Sequence, residues 1–284
     1  MARGTICLSF DFDAFSIWVN RGMTTPGPLS RGEFGALAVT RILRLLRRRG
    51  VAATFFVPGH TADTFPEVVR RIHGDGHEVG MHGYLHEAVS SLSLEREREV
   101  ARRAHGVLSG LLGAPPAGNR TPSWDFTPHT IPILVELGVR YDSSLMSRDY
   151  APFHPRQGDE APVDGPYRFG AETAELVEIP VSWSLDDYPA LEYSKDASGV
   201  LPGLRRPDDV FANFLDDVRY MVRDVEDGVC TITFHPQVIG RGHRLLALER
   251  FVDTLLDMGM DLARLDTVAD VFAGGRAYGT ERPE

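Results

Sequence analysis

The stretch "TICLSFDFDAF", residues 5 to 15, decides how the rest of the chain is read. Its first half is apolar and rich in residues that favour extended backbone, so it reads as a strand. Asp11 and Asp13 close that strand. Side chains alternate across a strand with a period of two, which sends both acids to one face and Phe10 and Phe12 to the other. Two carboxylates at the C-terminal end of a strand stand where α/β folds keep their sites. Taken alone, the same pair reads equally as acids opening a polar loop, so companions elsewhere in the chain must decide.

Further strand-like runs follow at "VAATFFV" (51 to 57), "HEVGM" (77 to 81), "LVEIPV" (176 to 181) and "VCTITF" (229 to 234). Between them the apolar spacing switches to that of helices. Val39, Ile42, Leu43 and Leu46 mark one over 34 to 49, and Val100, Ala104, Val107, Leu108 and Leu111 another over 94 to 112. Phe211, Phe214, Leu215, Val218 and Val222 predict a third near 207 to 225, and Leu248, Phe251, Val252 and Leu255 a fourth near 244 to 258. Strands alternating with helices predict an α/β fold, a parallel sheet covered by helices and either open or closed into a barrel. Residues 145 to 206 break the rhythm, with Pro, Asp, Gly and Tyr and little regular pattern besides "LVEIPV". Loops of that length belong to a site or a subunit contact. The expectation is one domain over 1 to 284 with a long irregular insertion at about 145 to 206.

Bulk properties narrow the classes. With 284 residues, 43% of them hydrophobic, the chain can bury a large core. A formal net charge of −10 and a pI near 5.5 argue against nucleic acid or an anionic membrane as partner. The basic run "RILRLLRRRG" (41 to 50) reads as the solvated face of an amphipathic helix. Cys7 and Cys230 each sit in an apolar strand run, which leaves no disulfide framework and no thiolate metal site. No apolar run reaches the roughly 18 residues of a membrane span, and the N-terminus enters a strand at once without a signal-peptide pattern. The expected location is cytoplasmic.

In "MHGYLHE" (81 to 87), His82 and His86 directly follow the third strand. On a helical turn their spacing brings side chains about 5 to 6 Å apart. That suits two imidazoles on one divalent ion, and zinc commonly takes two His and one carboxylate while leaving a position for water. Gly83 stands where the metalloprotease pattern H-E-x-x-H carries its general base, so the base must come from elsewhere. "GNRTPSW" (118 to 124) offers Arg120, a guanidinium able to hold a neighbouring carboxylate ionised. "TITFHPQVIGRGHR" (231 to 244) places His235 at the end of the last strong strand, the natural position for a general acid or base.

"SFDFDA", "HGYLHE", "RTPSW" and "TFHPQ", in this order over residues 9 to 237, resemble the motifs of the NodB-homology polysaccharide deacetylases, carbohydrate esterase family 4. "LSRGEFGALAVTRILRLLRRRGVAATFFVPGHTADTFPE" with "HPQVIGRGHR" is similar to the branch holding cofactor-independent allantoinase, cyclic-imide hydrolases and peptidoglycan deacetylase-like proteins. The resemblance implies a distorted (β/α) barrel with its site at the C-terminal mouth and one divalent metal ion, zinc first, with cobalt or manganese as alternatives. It further implies Asp13, His82 and His86 as ligands, Asp11 as general base, Arg120 as the partner of that base, and His235 as general acid. The family pattern carries an aromatic directly after the proline of the arginine motif; here Ser123 stands there and Trp124 follows. The acid that orients the catalytic histidine is Asp186 or Asp187 of "SWSLDDYP", and Asp187 is also a candidate, with Trp124, for the substrate side. A homo-oligomer, a tetramer, is implied by the same branch.

The resulting expectation is a hydrolase of carbon–nitrogen bonds other than peptide bonds. A small amide, cyclic imide or ureide is the first substrate class, because the chain shows no carbohydrate-binding module, secretion signal or wall anchor. Trp183, Tyr188 and Tyr193 in the long segment could wall off the mouth. An N-acetylated saccharide is the alternative substrate, and a metabolite-binding protein on an inactive scaffold is a third reading.

Overall fold

The computed structural model describes residues 4–196 and 199–282. Its frame is one parallel sheet made of β1 (Thr5–Asp11), β2 (Thr54–Val57), β3 (Glu78–Met81), β4 (Gly118–Asn119), β5 (Tyr141–Asp142), β6 (Val177–Glu178), β7 (Val229–Phe234) and β8 (Asp261–Leu262). The strands lie in the order β7-β1-β2-β3-β4-β5-β6, with β8 pairing onto the start of β1. The sheet curls into a distorted (β/α) barrel, and the segment between β6 and β7 fills the gap between its edges, with Asp186 making a parallel bridge to Thr233.

Alternation along the strands sorts side chains into two cores. On β1 and β7, Ile6, Leu8, Phe10, Cys230, Ile232 and Phe234 join the large cluster that packs under the helices. Phe10 stacks on Phe55 of β2 at a ring separation of 4.9 Å. Burying one such phenylalanine contributes about 1.5–3 kcal/mol. The opposite faces contribute Cys7, Phe56, Tyr141, Val177 and Val229 to a smaller cluster inside the curl. Gly118 makes room there, since a Cβ on it would lie 2.0 Å from the Tyr141 ring. Both cysteines are free and buried, as their strand runs imply.

The covering helices are α1 (Pro26–Arg49), α2 (Pro66–Gly74), α3 (Leu94–Leu112), α4 (Thr130–Glu136), α5 (Pro207–Asp224), α6 (Gly242–Asp257) and α7 (Leu265–Ala273). Four answer to the apolar spacing read from the sequence. Three, α2, α4 and α7, are too short for that signal, each offering only a few buried residues such as Val69 and Ile72. The first predicted helix extends back to Pro26, whose fixed φ suits the first helical position. Its added turns pack through glycine rather than an apolar stripe. The arginines of "RILRLLRRRG" point outward, and α1 ends on Gly50 in the left-handed conformation at φ 64°.

Three differences from the sequence reading are physical. β4 and β5 are two residues each, below any periodicity. "LVEIPV" shrinks to Val177–Glu178, because Pro180 has no N–H to donate. The segment read as irregular supplies β6, a small antiparallel arm (Arg156–Gln157 with Ala171–Glu172) and the short helix Asp187–Leu191. Among the described residues no helix is long and apolar enough to cross a membrane.

α1 presses on the loop that leaves β1. A Cβ on Gly32 would sit 2.6 Å from the carbonyl oxygen of Ala14, a backbone atom that cannot step aside. Gly32→Ala should therefore cost about 1–3 kcal/mol in denaturant unfolding despite alanine's better helix propensity. A neutral or stabilising result would mean that this contact is loose.

Candidate active site

β1 delivers Asp11 at its last residue and Asp13 two residues beyond, and both are buried at the C-terminal mouth. His82 follows β3 directly, but the stretch to His86 is a turn rather than the expected helical one. Gly83 and His86 both adopt positive φ, 65° and 60°. The turn is pinned by the Glu87 carboxylate, which accepts from the Tyr84 and Leu85 amides, and by Asn20, which donates to the His86 carbonyl at 2.8 Å. The result still brings the imidazoles together, with ring centroids 5.1 Å apart.

Asp13, His82 and His86 each offer one ligand atom, all within 4.8 Å of one another. The His82 Nε2 lies 3.5 Å and the His86 Nε2 3.8 Å from Asp13 Oδ1. The residues fit a divalent ion on three counts. Asp13 Oδ1 is buried without a hydrogen-bond partner, while its other oxygen accepts from Gln237 at 3.2 Å. His82 Nδ1 sits 2.8 Å from the Arg120 carbonyl, which can only accept, so Nδ1 carries the proton and the Nε2 lone pair faces Asp13. Burial pushes the His86 pKa well below 6.5 and keeps it neutral, whereas burial raises that of Asp13 against the lowering effect of His235. In the mouth, Asp11, Asp13, Asp186 and Asp187 face the cations Arg120 and protonated His235.

Arg120 is fully buried, and four hydrogen bonds fix it. Nη1 donates to Asp11 Oδ1 at 2.8 Å and to Ser9 Oγ at 2.9 Å, while Nε and Nη2 reach the carbonyl and hydroxyl of Ser143 at 3.0 Å each. Burial alone would raise the Asp11 pKa; Arg120, with His235, outweighs it and holds the carboxyl below its ordinary value. Asp11 Oδ2 is left facing the cavity, 3.9 Å from His82 Nε2 and 4.0 Å from His235 Nε2.

His235 caps the end of β7, and its Nδ1 lies 2.9 Å from Asp187 Oδ1, which also accepts the His235 amide at 3.0 Å. Asp186 stands further off, at 3.4 Å, with its Oδ1 accepting the Tyr188 amide. The structure thus resolves the choice in "SWSLDDYP": Asp187 orients the ring and Asp186 lends charge. It also moves Asp187 away from the substrate side, since Asp187 is fully buried behind His235. These three could share an ion by distance alone, but the Nδ1 bond commits them to an acid–histidine arrangement. Burial would lower the His235 pKa, but Asp186 and Asp187 drive it well above 6.5.

The cavity between these groups has a volume of about 140 Å³ and is lined by Asp11, His82, His86, His235, Asp186 and the aromatics Trp124, Trp183 and Tyr188, with Ile17, Arg21 and Ser123 completing it. Ser123 and Trp124 both adopt φ 54°, a strained conformation that lays Trp124 against Trp183 at a ring separation of 4.1 Å. Trp124 therefore reaches the cavity although it is displaced by one residue from the family position. Tyr193 does not line it. Sequence reading missed Ser9, Ser143, Gln237 and Arg21. Ser9 was findable, two residues before Asp11 on the same strand face; Gln237, Ser143 and Arg21 carry no signal short of the folded chain.

The polysaccharide deacetylase family profile matches residues 28–141. A peptidoglycan deacetylase of Helicobacter pylori is 32% identical over 281 residues, covering 94% of this chain and 95% of its own. The chain belongs to the polysaccharide deacetylase family. A crystallised Mycobacterium smegmatis protein, provisionally named a polysaccharide deacetylase, superimposes with TM-score 0.84 at 32% identity, over 100% of this chain and 95% of its own. Puue allantoinase shares the fold, with TM-score 0.76 at 22% identity over 98% and 92% of the two chains. This polysaccharide deacetylase fold is thus the NodB-homology barrel that the motifs imply.

The acid–histidine pair makes a pH prediction. The folded pKa of His235 lies above its ordinary 6.5, so its contribution to stability is complete below that value and is lost as pH rises through the folded pKa. Asp187→Asn removes a charge that holds the proton. The alkaline limb of the pH–rate profile should move to lower pH and the rate should fall by up to about 10²-fold. An unmoved limb would detach Asp187 from this role.

Proposed function

We propose that this protein is a metal-dependent N-deacetylase of an N-acetylated saccharide. The observation that carries the reading is the convergence on one small cavity of an ionised acid, a three-residue ligand set and a protonated histidine. Family membership and the Helicobacter pylori relative support a saccharide substrate over the small amide, imide or ureide expected first. The filled positions in the mouth weigh against a binding protein on an inactive scaffold.

Asp13, His82 and His86 would hold the ion, with zinc favoured by the two-His, one-carboxylate set. When bound, the ion supplies a Lewis acid for water and for the acyl carbonyl. Asp11 takes the proton of the attacking water through Oδ2, because Oδ1 is committed to Arg120. His235 offers a proton from Nε2 to the departing nitrogen, its Nδ1 being bound to Asp187. Acid and base stand 4.0 Å apart across one spot, and their pKa values are displaced in opposite directions, so each begins in the protonation state its task needs. Trp124 and Trp183 form an apolar wall of the kind on which a sugar face packs.

One observation favours a second reading. The cavity of about 140 Å³ admits an acetamido group or a small ring but falls below the roughly 300 Å³ usual for larger ligands. A polymer would have to lie across the rim.

Purified enzyme assayed side by side on N-acetylglucosamine oligomers and on hydantoin, succinimide and allantoin separates these readings. Acetate release from the oligomers is expected; turnover of the cyclic amides alone would restore the small-substrate reading. Asp11→Asn should reduce the rate by at least about 10²-fold while retaining about one equivalent of metal, and His82→Ala should lose both. Near-normal activity in Asp11→Asn would remove Asp11 as the base.

A further inference from the structure

Beside the site, on the other face of the sheet, lies an acid pair that the chemistry above does not use. Asp142 of β5 and Glu178 of β6 are register partners, and both are fully buried. Tyr141 and Val177 point into the curl, so strand alternation turns Asp142 and Glu178 the opposite way. Asp142 Oδ1 accepts from Asn119 Nδ2 at 2.6 Å. Glu178 Oε1 accepts from the Ser144 and Leu145 amides, at 2.8 Å each. The remaining oxygens, Asp142 Oδ2 and Glu178 Oε2, are buried and receive no donor from any other described group. Two adjacent buried carboxylates cannot both stay ionised, and one proton between them satisfies both orphan oxygens.

The partners of this pair are the two loops that hold Arg120. Asn119 precedes Arg120 in the chain, and Ser144 and Leu145 follow Ser143, which takes two of the Arg120 bonds. Two more links run between the loops: the Ser143 amide to the Asn119 carbonyl at 3.0 Å, and the Thr121 amide to Ser144 Oγ at 2.9 Å.

We propose that Asp142 and Glu178 share one proton, carried by Glu178 Oε2 and donated to Asp142 Oδ2, and that this bonded pair clamps the two loops that aim Arg120 at Asp11. Both are positioning residues, and the catalytic part of the proposal rests on the deacetylase reading. Glu178 is the protonated member although the two amides at Oε1 favour its ionised form, because burial beside Asp142 outweighs them. Burial, then the neighbouring Asp142, places its pKa well above the ordinary value, while burial lifts Asp142 only to about 6. Of the other charged groups, Arg120 acts on Asp142 and lowers it. Because the folded pKa of Glu178 exceeds its unfolded one, stability from this proton is complete below about pH 4.5 and is lost as pH rises through the folded value.

The test uses Glu178→Gln, whose amide can donate to Asp142 and accept from Ser144 and Leu145, beside Glu178→Ala. Infrared difference spectra of wild type at neutral pH should contain a protonated-carboxyl band that Glu178→Gln lacks. The unfolding midpoint of Glu178→Gln should fall less than that of wild type on raising the pH to 9. On N-acetylglucosamine oligomers Glu178→Gln should keep kcat within about threefold, while Glu178→Ala, with Arg120 misaimed, should lose about 10²-fold in kcat with a smaller change in KM. Identical carboxyl bands, an unchanged pH slope, or equal losses in both variants would each overturn the proposal. If wild type turns over no acetylated sugar, the deacetylase reading fails, and the infrared and unfolding data still judge the shared proton.

Discussion

The charge on Arg120 is the constraint around which the mouth of the barrel is arranged. A guanidinium taken wholly out of water is tolerable only when its donors are met, and here two strands bring the acceptors to Arg120 at the end of β4: Ser9 and Asp11 from β1, and Ser143 just past β5. Its plane also lies over Phe56 at 4.3 Å. Removing one partner of such a pair typically costs about 3–5 kcal/mol, because the other charge is left buried and bare. The residue serves two parts of the site at once. Its side chain holds the Asp11 carboxylate, and its backbone carbonyl sets the tautomer of His82.

The same low-polarity surroundings explain why acids cluster here without disrupting the fold. Each has a distinct means of compensation: Asp11 has Arg120, Asp187 has the His235 ring and amide, and Asp13 has Gln237 on one oxygen and an open coordination direction on the other. A similar economy operates at the opposite end of the barrel. There burial lifts Glu78 to about 7 while Thr54, Tyr141 and the N-terminal amide of Asp266 on α7 all donate to it. Among the described residues that end carries no ligand set; its acid ties α7 across the floor.

Much of this was legible in the chain. The run "TICLSFDFDAF" named its own strand, its acid pair and its face, and the long amphipathic helices announced themselves by spacing. The motifs named Asp11, Asp13, His82, His86, Arg120 and His235, and all six meet at one mouth. The local shape of "MHGYLHE" was not legible: two residues at positive φ form a turn where spacing alone suggested a helix. Nor could adjacent acids be ranked, since Asp186 and Asp187 differ only in which one the fold turns toward Nδ1.

The sequence by itself determined the class of fold and the chemical types at the site, because strand and helix periods and the ends of strands are local properties. Tertiary structure alone decided which partners those groups have. Ser143 reaches Arg120 from 23 residues away, Gln237 reaches Asp13 from 224, and Asp142 meets Glu178 across a strand pair only two residues long. Such pairings depend on register and burial, and a hydrogen bond between distant residues leaves no period in the chain for a reader to find.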